Sequence, residues 1–168
     1  LRLSQVVGNN RSGVTTTNYG IFDFAKRIQI FSQKYPRAKV RLRIDPESTQ
    51  NLISIDNVVH YLMKIPETVK LPPVMHLAGK HPLKNDHIIQ EICDLLPVHI
   101  IQDKTLQRGQ MNAQERMIAA GMTFTGLYAN TNLTFDTRNL EKYFFPNGNE
   151  ITVKSVHRML EYFINEGK

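Results

Sequence analysis

The chain has 168 residues, 41% of them hydrophobic and 21% charged, with a net charge of +6 and an isoelectric point near 9.5. That length supports one domain burying roughly 70% of its unfolded surface, and no apolar run approaches the roughly 20 residues that cross a bilayer, which argues against a membrane protein. The basic residues are scattered rather than gathered into an arm or interleaved with aromatics, which argues against nucleic acid as partner, and the single cysteine, Cys93, excludes an intrachain disulfide and fits a cytoplasmic setting.

The chain opens on "LRLSQVVG", whose Leu1, Leu3, Val6 and Val7 read as a strand buried on both faces, as inside a parallel sheet. A terminus is ordinarily polar and frayed, so this opening predicts a missing N-terminal half, whose acidic residues would balance the charge. "GNNRSGVTTTN" is a loop of turn formers. Asn18 is placed to cap a helix from Tyr19 to Lys34, with Ile21, Phe24, Ala25, Ile28 and Phe31 on one face and Pro36 beyond its end. "KVRLRI" alternates, predicting a strand with Val40, Leu42 and Ile44 inward.

"NLISIDNVVHYLMKIPE" predicts a strand through Leu52, Ile53 and Ile55, then a helix capped by Asp56 that buries Val58, Val59, Leu62 and Met63. "VMHLAG" is a short buried strand, "LKNDHIIQEICDLLP" an amphipathic helix and "VHII" a strand. Residues 103–130 are helical in pattern, broken by Gly109, Gly121 and Gly126. "LTFDTRNLEKYF" reads as a strand running into a helix. In the final segment Val153, Val156, Met159, Leu160 and Phe163 form a last apolar stripe. Strands alternating with helices predict an α/β fold.

Two chemical patterns are coincidental. Tyr35 and Lys39 have the Tyr-x-x-x-Lys spacing of a dehydrogenase, but Pro36 and the end of the helix deny them a shared helical face. His76, His81 and His87 lack a Cys or acidic partner at metal-site spacing. No Gly-rich phosphate loop is present, since no helix opens behind Gly8 or Gly13. The chain therefore offers no catalytic residue and no metal ligand of its own.

The order of the pieces is more specific than any one of them. Arg2, Ser4, Val6 and Gly8, then Arg11, Ser12 and Gly13, match a strand of the form Arg-Pro-Ser-x-Val-x-Gly and its Ser/Thr-Gly loop. Asp45, Pro46, Asn51, Asp56 and Val58 match an Asp-Pro-x-x-x-x-Asn-x-x-x-Val-Asp-x-Val segment, with Ile55 in the Val place. "VMHLAG" and "FDTRN" match a late strand and turn. Over nearly its whole length the chain resembles the C-terminal half of an extended short-chain dehydrogenase/reductase, closest in appearance to the acyl/thioester reductase, or male-sterility-type, branch.

The resemblance implies the last strands of the parallel sheet of an NAD(P)-binding Rossmann-like fold plus a small α/β substrate-binding lobe. Residues 1–8 and 74–101 would belong to the nucleotide-binding sheet, and 9–66 and 103–168 to the lobe. The Gly-rich loop and the true Tyr-x-x-x-Lys would lie upstream, leaving this piece inactive alone. Leu3, Ser4, Gln5 and Val6 would flank the nicotinamide of NAD or NADP, although Leu3 stands where the family has Pro and Gln5 where an aliphatic residue is common. Arg11, Thr15, Thr16, Tyr19 and Phe22 would cover a small-molecule substrate. The expected parent is an NAD(P)-dependent reductase of a carbonyl or activated acyl substrate. Alternatives are a sugar-nucleotide epimerase or dehydratase, with Arg41 and Arg43 toward the diphosphate, and a non-catalytic dinucleotide sensor. Exposed sheet edges give the chain a route to a homo-oligomer.

Overall fold

The computed structural model describes residues 1–67, 70–122, 129–144 and 150–166. Its elements run β1 (Arg2–Leu3), β2 (Gln5–Val7), α1 (Ile21–Lys34), β3 (Ala38–Leu42), β4 (Thr49–Gln50), β5 (Leu52–Ser54), α2 (Ile55–Lys64), β6 (His76–Leu77), β7 (Leu83–Lys84), α3 (Asn85–Leu95), β8 (Val98–Gln102), α4 (Ala113–Gly121), α5 (Arg138–Tyr143) and α6 (Val153–Glu166). Short 3-10 turns stand at Ile65–Glu67 and Arg108–Gln110. Of the stretch read as interrupted helix, residues 113–121 are helical, and Gly126 lies outside the described residues.

The first strand is used on both edges. Arg2 and Ser4 donate their N–H groups to Met75 and Leu77 at 2.9 and 3.0 Å, while Gln5 donates to Asn51 at 3.2 Å. Successive N–H groups of an extended chain point opposite ways, so β1 pairs in parallel with β6 on one side and β2 in parallel with β5 on the other. Burial on both faces holds only at its end. Val7 is buried, but Leu1 and Leu3 are 55% and 46% exposed, because no described element covers them.

A second parallel pair joins β3 to β8, from Ala38 opposite Val98 to Leu42 opposite Gln102. The alternation in "KVRLRI" turns Val40 and Leu42 inward, and Ile44 follows them into the core beyond the strand's end. Val98 and Ile100 of β8 meet the same apolar layer as β3. That layer is formed by α1, α3 and α6, whose apolar stripes close one large core. A smaller cluster holds Ile53, Val58, Tyr61, Leu77, Leu140 and Phe144.

Two helix starts differ from the sequence pattern. Helix α1 begins at Ile21 behind Gly20, which has φ 61° and no side-chain cap, so Asn18 does not cap it. Helix α2 begins at Ile55, and its cap is Ser54, whose Oγ accepts the Asn57 N–H at 3.3 Å. Asp56 instead accepts the Asn10 N–H at 2.9 Å, tying the Gly8–Val14 loop to the helix. Val58 and Tyr61 are buried, whereas Val59, Leu62 and Met63 are exposed; the helix rests on the β2–β5 pair through one narrow face only. Tyr35 ends α1 while Lys39 sits on β3, so that pair shares no helical face.

Candidate functional site

A cavity of about 440 Å³ opens between β1–β2, α1, α3 and residues 129–135. Its size is that of small-molecule sites in general. The first strand supplies Leu3, Ser4 and Gln5 at one end, with Tyr19 and Gly20 beside them. Ile21 and Phe24 come from α1, and Ile88 and Ile89 from α3. These four are core-facing residues whose stripes continue past the packed interior into the opening. Among the described residues lining the cavity, none carries a charge.

The far wall is an extended strap. Ala129, Thr131, Leu133 and Phe135 line the cavity, while Asn130 and Asn132, the residues between, bind the backbone of 43–49. Asn130 Oδ1 accepts the Asp45 N–H at 2.9 Å, and its Nδ2 donates to the Arg43 carbonyl at 3.1 Å. Asn132 Oδ1 accepts the Thr49 N–H at 2.8 Å. Asn85 Nδ2 donates to the Ala129 carbonyl at 2.7 Å, and His76 Nδ1 meets the Asp136 carbonyl at 3.1 Å. Part of this segment had been read as a strand. It is extended but forms no ladder, because side-chain amides replace the strand partner.

Polar groups at the strand end of the cavity are incompletely bonded. Ser4 is 9% exposed and its Oγ has no hydrogen-bond partner; the Gln5 amide nitrogen is enclosed and likewise unpartnered. An unmet buried donor costs about 1–3 kcal/mol, so two such groups on consecutive residues call for a cause. The Gln5 carboxamide lies on Gly20, where any Cβ would overlap it. Gly20 is required for its positive φ, and it leaves the space that the Gln5 carboxamide fills.

The other sequence-predicted residues divide. Val6 packs against the smaller cluster and does not line the cavity. Tyr19 stands at the mouth, 81% exposed. Phe22 is fully buried, its ring centroid 5.3 Å from that of Phe163, so core packing withdraws it from the cavity. Thr15 is buried beside Gly8, with its hydroxyl unpartnered. Arg11 and Thr16 are exposed on the loop, away from the cavity. That loop is stapled from several sides: Asn9 Oδ1 accepts the Arg11 and Ser12 N–H groups, and Arg158 Nη2 donates to the Asn10 carbonyl at 2.8 Å. Its polar residues bond one another rather than face the opening.

Arg41 is committed elsewhere. Its Nε and Nη2 bind the Glu115 carboxylate at 2.9 and 3.0 Å, and its own N–H adds a third bond at 3.0 Å. Asn112 N–H supplies a fourth at 2.8 Å. Hydrogen bonding to the Arg41 guanidinium holds the pKa of the Glu115 carboxyl down to about 2. Arg43 is exposed, and neither arginine lines the cavity. Burial pushes the Cys93 thiol up, which makes it a packing residue rather than a nucleophile. No group of three His, Cys, Asp or Glu side chains is placed to hold a metal among the described residues, and none of their helices is long and apolar enough to cross a membrane.

No family model matches the chain, and no curated protein matches it. Solved structures do. The terminal R domain from the myxalamid PKS-NRPS biosynthetic pathway aligns with 99% of this chain and 43% of its own, at 11% identity and a TM-score of 0.67. L-threonine 3-dehydrogenase from Trypanosoma brucei aligns with 98% of this chain and 46% of its own, at 12% identity and a TM-score of 0.47. The chain spans less than half the length of either. It is a mixed α/β protein with short parallel strand pairs, and its fold is that of part of the R domain.

Proposed function

We propose that this chain is the C-terminal, substrate-binding part of an NAD(P)-dependent reductase acting on a carbonyl or activated acyl (thioester) substrate. The observation that carries the reading is the uncharged, largely apolar cavity whose one end is the first strand, in a fold shared with the R domain. The strand that the resemblance sets beside the nicotinamide is also the strand whose Leu3, Ser4 and Gln5 bound that cavity.

The residues present fit only part of a dinucleotide. With no Arg, Lys or His among the described residues of its wall, the cavity suits the neutral nicotinamide end and not the phosphates, which leaves the phosphate cradle to a preceding N-terminal half. When bound, the dinucleotide supplies a hydride. The work of this chain is to orient the substrate and exclude water around the reacting carbonyl, through Phe24, Ile88, Ile89 and the strap. Leu1 and Leu3, exposed on the first strand, give the N-terminal half a surface to cover. The proton donor would come from the same half, since this chain's Tyr35 and Lys39 are apart on different elements.

The test compares the chain alone with the chain joined to its preceding segment, each given NADH or NADPH and a medium-chain acyl thioester, following loss of the reduced nicotinamide. No turnover is expected from the chain alone, and turnover from the joined protein. Turnover by the isolated chain would refute the division of labour. Inactivity of the joined protein on both carbonyl and thioester substrates would refute the reductase reading.

A further inference from the structure

We infer that Gln5, with Ser4 beside it, is the specificity-determining anchor of the cavity, donating a hydrogen bond to an uncharged carbonyl oxygen of the ligand. The inference rests on the cavity being a ligand site and goes beyond the reductase reading, because it fixes the chemistry of the recognised group and applies to this chain without its preceding half.

Three observations converge. Among its described residues the cavity wall carries no charge, so a carboxylate or ammonium head would enter without a counter-charge, whereas an amide, ester or thioester carbonyl enters neutral. Ser4 and Gln5 both line the strand end of the cavity, and each carries an enclosed polar atom without a partner, Ser4 Oγ and the Gln5 amide nitrogen. Gly20 leaves the gap in which the Gln5 carboxamide lies. The terminal torsion of a glutamine is broad and roughly two-fold, and half a turn about it presents the N–H to the opening. The apolar remainder of the ligand then lies among Ile21, Phe24, Ile88 and Ile89.

The recognised chemistry has two sources, the substrate's carbonyl and the carboxamide of a nicotinamide ring, and probes separate them. Octanamide, octanoate, octylammonium and free nicotinamide are titrated into the 168-residue chain, reading affinity by calorimetry and the Gln5 side-chain NH₂ signals by NMR. Octanamide is expected to bind at least about tenfold more tightly than octanoate or octylammonium and to shift those signals; about tenfold is the scale of one net hydrogen bond. A shift on nicotinamide instead supports the same anchor and assigns it to the cofactor.

Gln5→Met keeps the length and removes the donor, and is expected to abolish the preference for the amide. Gln5→Glu keeps the shape and reverses it toward octylammonium. Equal affinity for octanamide and octanoate in the native chain, or an unchanged preference in folded Gln5→Met, would overturn the inference. Because no dinucleotide is present in this assay, its failure is separable from failure of the reductase reading.

Discussion

Two polar regions of this molecule are built on opposite terms. Around Arg41 and Glu115, charge is fully answered: the buried carboxylate, 2% exposed, accepts four N–H bonds from two residues, and the part-exposed Arg41 binds the Gln110 carbonyl as well. Around Ser4 and Gln5, the groups are neutral and left unanswered beside an open cavity. Saturated polar contacts fix one arrangement of the chain, here β3 against α4. Unsaturated ones leave capacity for a molecule that is not part of the fold.

The largest effect tests the saturated side. Glu115→Ala removes the shared acceptor and leaves the Arg41 and Asn112 N–H groups unmet, so a loss of about 2 kcal/mol is expected from chemical denaturation. Octanamide affinity of the fraction that remains folded should be unchanged. A loss within about 0.5 kcal/mol would show that water replaces the carboxylate easily, and the contrast between the two regions would fail.

The same carboxylate sets an acid limit. Its pKa in the folded chain is about 2, below the value of about 4.3 for an unfolded glutamate. A depressed folded value means that the stabilisation is complete above about pH 4.3 and disappears as the pH falls toward 2. Unfolding free energy followed across that window should decline, and Glu115→Gln should flatten the decline. An identical profile in the variant would place the acid sensitivity in other carboxylates.

Much of the fold is legible in the sequence because apolar stripes have only one use inside a single core. The faces of α1, α3 and α6 and the alternation of β3 appear where periodicity sets them. The pattern on α2 misleads, since "VVHYLM" is apolar around most of the helix and nothing in it says which side meets the β2–β5 pair; Val58 and Tyr61 are chosen over Val59 and Leu62 by that contact alone. Ser54 and Asp56 are both good caps, and the strand's end decides between them. Of the cavity, the first strand and Tyr19 were legible. Ile88 and Ile89 were not, because a residue lining an opening and one filling a core obey the same period. The strap left a signal that was missed: in "ANTNLTF" the two Asn residues alternate with Ala129, Thr131 and Leu133 at the spacing of an extended chain.

The smallest expected effect separates the regions most sharply, because its sign is reversed. Deleting a polar group that is fully bonded removes stability, whereas deleting one that is buried without a partner removes a penalty. Gln5→Met keeps the packing against Gly20 with a flexible apolar chain of similar length. The ligand-free variant should therefore be at least as stable as the native chain, with a gain of up to about 1 kcal/mol. Thermal unfolding without ligand reads this directly. On adding octanamide, the native chain should gain in melting temperature while the variant gains little, because a ligand stabilises only the state it binds. A ligand-free Gln5→Met that is less stable by about 1 kcal/mol or more would make the carboxamide part of the scaffold, and the two polar regions would then differ in degree rather than in purpose.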